Sequence, residues 1–160
     1  MEDEIVSESA PQPERAVTVL EVSPFESDHA ALQQIFSHSN WRLHISRTCA
    51  EAIQFLKRKL IPVVLCERDL PDGSWRDIVE RTAQSSNPPA VIVSSRLADD
   101  SLWSEVLNSG GFNVLAKPYR EAEVFRDVSL AWLNWKSRAD RVRQAQDRRP
   151  ERPKAAGGAA

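Results

Sequence analysis

From residue 16 to about residue 136, short unbroken apolar runs alternate with stretches in which apolar residues recur every three or four positions. Val17-Thr18-Val19-Leu20-Glu21-Val22 reads as a buried strand closed by Pro24, and Ala31, Leu32, Ile35 and Phe36 then fall at helical spacing. Leu43 and Ile45 alternate with polar neighbours in a second strand, Trp41 to Arg47. Thr48 and Glu51 have the spacing of a capping box, opening a helix that carries Ala52, Ile53, Phe55 and Leu56. Val63-Val64-Leu65-Cys66 is the third strand, and Leu70-Pro71-Asp72-Gly73 is turn chemistry after it. A helix from about Ser74 buries Trp75, Ile78 and Val79. After Pro88-Pro89 come a fourth strand, Ala90 to Val93, and a helix from Asp99 with Leu102, Val106 and Leu107 on one face. Gly110-Gly111 stops that helix, Phe112 to Ala116 forms a fifth strand, and a last helix from about Glu121 to Lys136 buries Val124, Phe125, Val128, Ala131 and Trp132.

Strands and helices in strict alternation predict an α/β fold: a doubly wound, five-stranded parallel sheet with helices on both faces. The unbroken apolar strands agree, because parallel strands are buried on both sides. Residues 16–136 form the predicted domain, and polar, proline-broken ends, an acidic 1–15 and a basic 137–160, are expected to be disordered tails. In such a sheet, ligands bind beyond the carboxyl ends of the strands.

Composition narrows the function classes. The chain has 160 residues and a net charge of −2, which gives no global attraction to nucleic acid or acidic membranes. The basic tail, Arg138 to Lys154, is interrupted by Asp140, Asp147 and Glu151 and reads as a solvated helix end. Cys49 and Cys66 lack metal-ligand spacing and read as buried thiols. The acidic Met1-Glu2-Asp3-Glu4 start has no signal-peptide pattern and no run approaches membrane-spanning length, so a cytoplasmic location is expected. His29, His38 and His44 have no metal or catalytic spacing and are expected in surface or capping roles. Trp75, Trp103, Trp132 and Trp135 are expected in core or interface positions.

The strand ends carry the chemistry. They are Glu21-Val22-Ser23-Pro24, Glu67-Arg68-Asp69-Leu70-Pro71-Asp72-Gly73, Ser94-Ser95 and Ala116-Lys117-Pro118. This order of strand–carboxylate–x3–Pro, strand–hydroxyl and strand–Lys-Pro resembles the receiver domain of two-component response regulators, and with it the flavodoxin-like (βα)5 fold. In that family two acids after the first strand hold Mg²⁺ and an Asp after the third accepts phosphate, with a hydroxyl and a Lys binding the phosphoryl group. Such chemistry needs hard oxygen ligands for the cation and charges arrayed around the phosphate oxygens. The resemblance assigns Lys117 and Ser94 to phosphoryl binding, with Ser95 a neighbour open to confusion, and puts Glu67 at the acceptor position. It puts Ser23 and Pro24 at the acid-pair positions and Val114 where many receivers carry an aromatic switch residue.

These departures shape the functional expectation. Without the acid pair the Mg²⁺ site is expected to be lost or weak, no other cofactor is implied, and the chain is not expected to be an enzyme. Glu21, Glu26, Asp28, Asp69 and Asp72 are the carboxylates from which a rebuilt site would have to come. Glu67 reads either as a mimic of the activated state or as an acid that pairs with Lys117. The leading expectation is a stand-alone pseudo-receiver in phosphorelay signal transduction, acting through contacts with a sensor kinase or a downstream effector. The resemblance places those contacts beside Trp103 and the last helix; a homodimer is left open. One alternative is an active receiver phosphorylated at Glu67 or Asp69 with a relocated metal. A second is an adaptor for nucleic acid or an acidic partner through the basic tail.

Overall fold

The computed structural model describes residues 16–148; the expected acidic tail 1–15 and residues 149–160 of the expected basic tail lie outside the described residues. Five strands, β1 (Thr18–Val22), β2 (Arg42–Ser46), β3 (Val63–Glu67), β6 (Ala90–Ser95) and β7 (Asn113–Ala116), form one parallel sheet in the order β2-β1-β3-β6-β7. The helices are α1 (Glu26–Phe36), α2 (Cys49–Arg58), α3 (Trp75–Thr82), α4 (Asp100–Asn108) and α5 (Glu121–Arg148). Two short strands, β4 (Asp69–Leu70) and β5 (Gly73–Ser74), pair antiparallel after β3. The doubly wound sheet is therefore as expected, while the hairpin adds detail to a segment read only as a turn.

Strand alternation sends side chains to two cores. Leu20, Val22, Val64, Cys66, Val91 and Val93 face one side, where they meet Ile53, Trp75, Ile78, Leu102 and Val106 of α2, α3 and α4. Val19, Val63, Leu65, Ile92 and Leu115 face the other, against Leu32, Ile35 and Phe36 of α1 and Val124, Val128 and Ala131 of α5. Trp41 closes the end of this second layer edge-on to Phe36 and Phe125, with ring centroids 5.8 Å and 4.8 Å away. Leu107, expected on the buried face of α4, is 38% exposed. Both cysteines are free and buried.

Local chemistry fixes the helix ends. Thr48 Oγ1 accepts the Glu51 amide at the start of α2, but the Glu51 carboxylate takes the Arg47 amide instead of Thr48's, so only half of the expected capping box forms. Asp72 takes over the remaining orphan donors of α2, accepting the amides of Cys49 (2.7 Å) and Ala50 (3.0 Å). A full capping box occurs at α3, between Ser74 and Asp77. α5 continues past Lys136 to Arg148, so residues 137–148 are helical, as the reading of the basic tail as a solvated helix end expects and the reading of it as disordered does not. That segment holds no Gly or Pro before Pro150, is rich in Arg, Ala and Gln, and carries the local pairs Lys136–Asp140 and Asp140–Arg143.

Gly110 has φ +99° and Gly111 donates to the Val106 carbonyl at 2.8 Å, which ends α4 and turns the chain into β7. A Cβ at Gly111 would run into the Val106 side chain and sit 3.1 Å from its carbonyl oxygen. Gly111→Ala is therefore expected to lower unfolding free energy by about 1–3 kcal/mol, measured by chemical denaturation of the full chain.

Candidate functional site

The carboxyl ends of β1, β3, β6 and β7 converge above the α1–α5 side of the sheet. Alternation from Leu65 and Ile92 carries Glu67 and Ser94 onto that side, and the two residues are register partners. Lys117 follows β7, is 9% exposed, and precedes a cis peptide bond to Pro118. Its ammonium donates to Asp28 Oδ2 at 2.6 Å and to Glu67 Oε1. The Phe25 ring lies over the same ammonium, 5.1 Å from Nζ to centroid. Two carboxylates and one aromatic face thus surround a single buried cation.

Ser23 and Pro24 hold the end of β1. The Ser23 hydroxyl donates to Asp28 Oδ2 at 2.7 Å and accepts the Phe25 amide at 3.1 Å, fixing the entry into α1. Ser94 is buried at 1% exposure, whereas the neighbouring Ser95 spends its hydroxyl accepting the Leu97 amide. The Tyr119 hydroxyl is buried near Ser94 but meets no partner at hydrogen-bond geometry among the described residues, and burial pushes its pKa well up. Val114 is partly buried and packs against the α2–α4 core, on the opposite side of the sheet from Glu67.

Glu21 and His29 form a second buried pair beneath the first. Each is 1% exposed, and Glu21 Oε1 lies 2.9 Å from His29 Nδ1. Glu21 Oε2 and His29 Nε2 are buried without partners among the described residues. Burial raises the Glu21 pKa from 4.5 to about 7, with Asp28 adding to the rise and the His29 hydrogen bond and charge, then Lys117, opposing it. The expectation of surface or capping histidines therefore fails for His29. His38 is exposed beside Glu121, and His44 lies tilted against Phe55, ring centroids 4.9 Å apart.

The sequence carried a signal for Asp28 and His29 that reading by motif passed over. Asp28 precedes Leu32 and Ile35 by four and seven residues, and His29 precedes Phe36 by seven. Both polar residues hence lie on the apolar stripe of α1, where an unpaired charge would be costly.

Each carboxylate near the strand ends has its own partner. Glu21 holds His29, and Glu26 pairs with Arg47, which lowers its pKa. Asp28 is taken by Lys117 and Ser23, and Asp69 has a 78% exposed side chain 3.8 Å from Arg68. Asp72 caps α2, and the Cys49 and Ala50 amides hold its pKa down. Among the described residues no three His, Cys, Asp or Glu side chains gather around a point where a metal ion would sit. A hydroxyl, a proline and an ammonium-bound carboxylate do not fit the oxygen-rich shell a hard divalent cation requires.

No protein-family model and no curated protein matches the chain. Solved structures do. The signal receiver domain of an HD domain-containing protein from Pseudomonas fluorescens Pf-5 superposes with TM-score 0.72 at 24% identity, over 79% of this chain and 94% of that one. The beryllofluoride-activated NtrC4 receiver domain dimer gives 0.68 at 21%, over 74% and 98%. A CheY-like response regulator receiver domain protein from Methanospirillum hungatei JF-1 gives 0.68 at 16%, over 76% and 98%. The chain has the receiver fold.

Two measurements probe the charges. Lys117→Met leaves Asp28 and Glu67 without their cation and is expected to cost about 3–5 kcal/mol. Adding Asp28→Asn and Glu67→Gln is expected to restore most of that loss, read by urea unfolding at pH 7. For Glu21, the folded pKa lies above the unfolded one, so its contribution is complete below pH 4.5 and is lost as pH rises through about 7. Glu21→Gln should therefore gain on the parent over this window, by on the order of 2 kcal/mol, in paired unfolding curves at pH 5 and pH 8.

Proposed function

We propose that the chain is a receiver-like module of two-component signalling that works through protein contacts and does not accept phosphate in the Mg²⁺-dependent way. The observation that carries this reading is the occupancy of Lys117. Its ammonium, the group the fold offers to a phosphoryl oxygen, already donates to Asp28 and to Glu67 at the acceptor position. A phosphoryl group arriving at Glu67 would have to displace an internal carboxylate from a buried cation. It would also lack the metal needed to neutralise its equatorial oxygens.

The partner-facing surface is the side built by α4, β7 and α5. Trp103 is 49% exposed there, and its indole N–H donates to Asn113 Oδ1 at 3.3 Å. The ring is thus held in one orientation at the surface while its apolar area stays open. With Lys117 already bonded to its own anions, this surface is fixed in one arrangement instead of being switched by phosphorylation. Sensor kinases and downstream effectors are the partner class this implies.

Acetyl phosphate with Mg²⁺ should give no phosphoryl adduct by intact mass and no Mg²⁺-dependent change in tryptophan emission. Glu67→Asp alone should not restore labelling, whereas Glu67→Asp with Ser23→Asp and Pro24→Asp should begin to. An adduct on Glu67 of the unaltered chain would overturn the reading in favour of an active acceptor.

A further inference from the structure

At the amino-terminal end of the sheet, opposite the Lys117 cluster, a groove of about 320 Å³ opens between the ends of α2 and α3. Its floor is Ile53, Leu56 and Ile61, and its rim carries Lys57, Lys59 and Arg81, with no Asp or Glu among the described residues that line it. These three cations find no ion-pair partner among the described residues. They outweigh the partial negative charge of the two helix C-termini that end here. Leu60, beside the floor, is 69% exposed. An apolar floor under a one-signed rim suits an extended segment that sets carboxylates beside aliphatic side chains.

Such a segment lies within the chain itself. β1 pairs with β3 from Val19–Val63 onward, so the chain entering β1 runs beside Ile61-Pro62, the residues that lead into β3 at the groove. The chain preceding β1 therefore emerges at the groove's edge. It reads Met1-Glu2-Asp3-Glu4-Ile5-Val6-Ser7-Glu8-Ser9-Ala10-Pro11-Gln12-Pro13-Glu14-Arg15, with acids flanking a single aliphatic pair. The ten residue steps from Val6 to Ala16 span up to about 33 Å when extended, enough to reach across a groove that opens beside Ala16. Pro11 and Pro13 favour an extended course over a helix.

We propose that Glu2 to Val6 dock in this groove in cis, the Ile5 and Val6 side chains on Ile53, Leu56 and Ile61 and the acids against Lys57, Lys59 and Arg81. The segment then covers an interaction surface independent of the Lys117 end.

The test uses the full chain carrying Ser7→Cys with a nitroxide, the buried native thiols of Cys49 and Cys66 being shielded from the label. Amide broadening is expected to concentrate on residues 57–61 and 81–87. Glu2→Gln with Asp3→Asn and Glu4→Gln, all outside the folded body, should reduce it roughly threefold, given the modest worth of each screened surface pair. Uniform weak broadening over the whole surface would overturn docking. Broadening that persists undiminished when labelled ¹⁴N chain is mixed with unlabelled ¹⁵N chain would overturn the intrachain assignment in favour of a second copy.

Discussion

Everything at the carboxyl edge of the sheet is arranged around one ammonium ion kept almost out of water. Lys117 reaches back from the end of β7 to a carboxylate on α1 and another at the end of β3, tying α1, β3 and β7 together at one point. A buried cation is tolerated only when its anions are close and well placed. The positions of Asp28, Glu67, Ser23 and Phe25 all answer to that requirement. The cluster is a structural bond across the sheet as much as the outline of a binding site.

The same constraint determines what occupies the site. A receiver fold presents the ends of parallel strands as a shallow bowl, in which anionic and cationic groups ordinarily wait for ligands. Here the bowl is filled from within. Ser23 stabilises Asp28 by a hydrogen bond, Phe25 covers the ammonium, and Glu21 and His29 add a further buried polar pair beneath. Within the cluster two carboxylates share one ammonium.

The sheet and helix order were legible because the strands are short apolar runs, or in β2 a strict alternation, while each helix repeats at 3.6 residues. Glu67, Ser94 and Lys117 were legible because they end strands, and a parallel sheet necessarily collects its strand ends. Asp28 and His29 were not, because a polar residue on a helix reads as solvent-facing until its spacing from Leu32, Ile35 and Phe36 is counted. Lys136 was too early an end for α5: the apolar stripe that packs on the sheet fades there, but helix propensity and ion pairs carry the backbone on to Arg148. The β4–β5 hairpin was invisible for a simpler reason, since two-residue strands leave no period to detect.

The length of α5 has a mechanical meaning. Twenty-eight helical residues extend for about 42 Å, roughly twice the span of the five-residue strands it packs against. Beyond Arg138, whose guanidinium still reaches the Pro88 carbonyl at 3.4 Å, the helix stands clear of the sheet. It therefore works as a lever arm with an angular scale. Each residue added before the overhang would advance its tip by about 1.5 Å and turn it by about 100°. The direction in which Val142 and the charged residues around it point is set, through a rigid shaft, by how Val124, Val128 and Ala131 seat on the sheet.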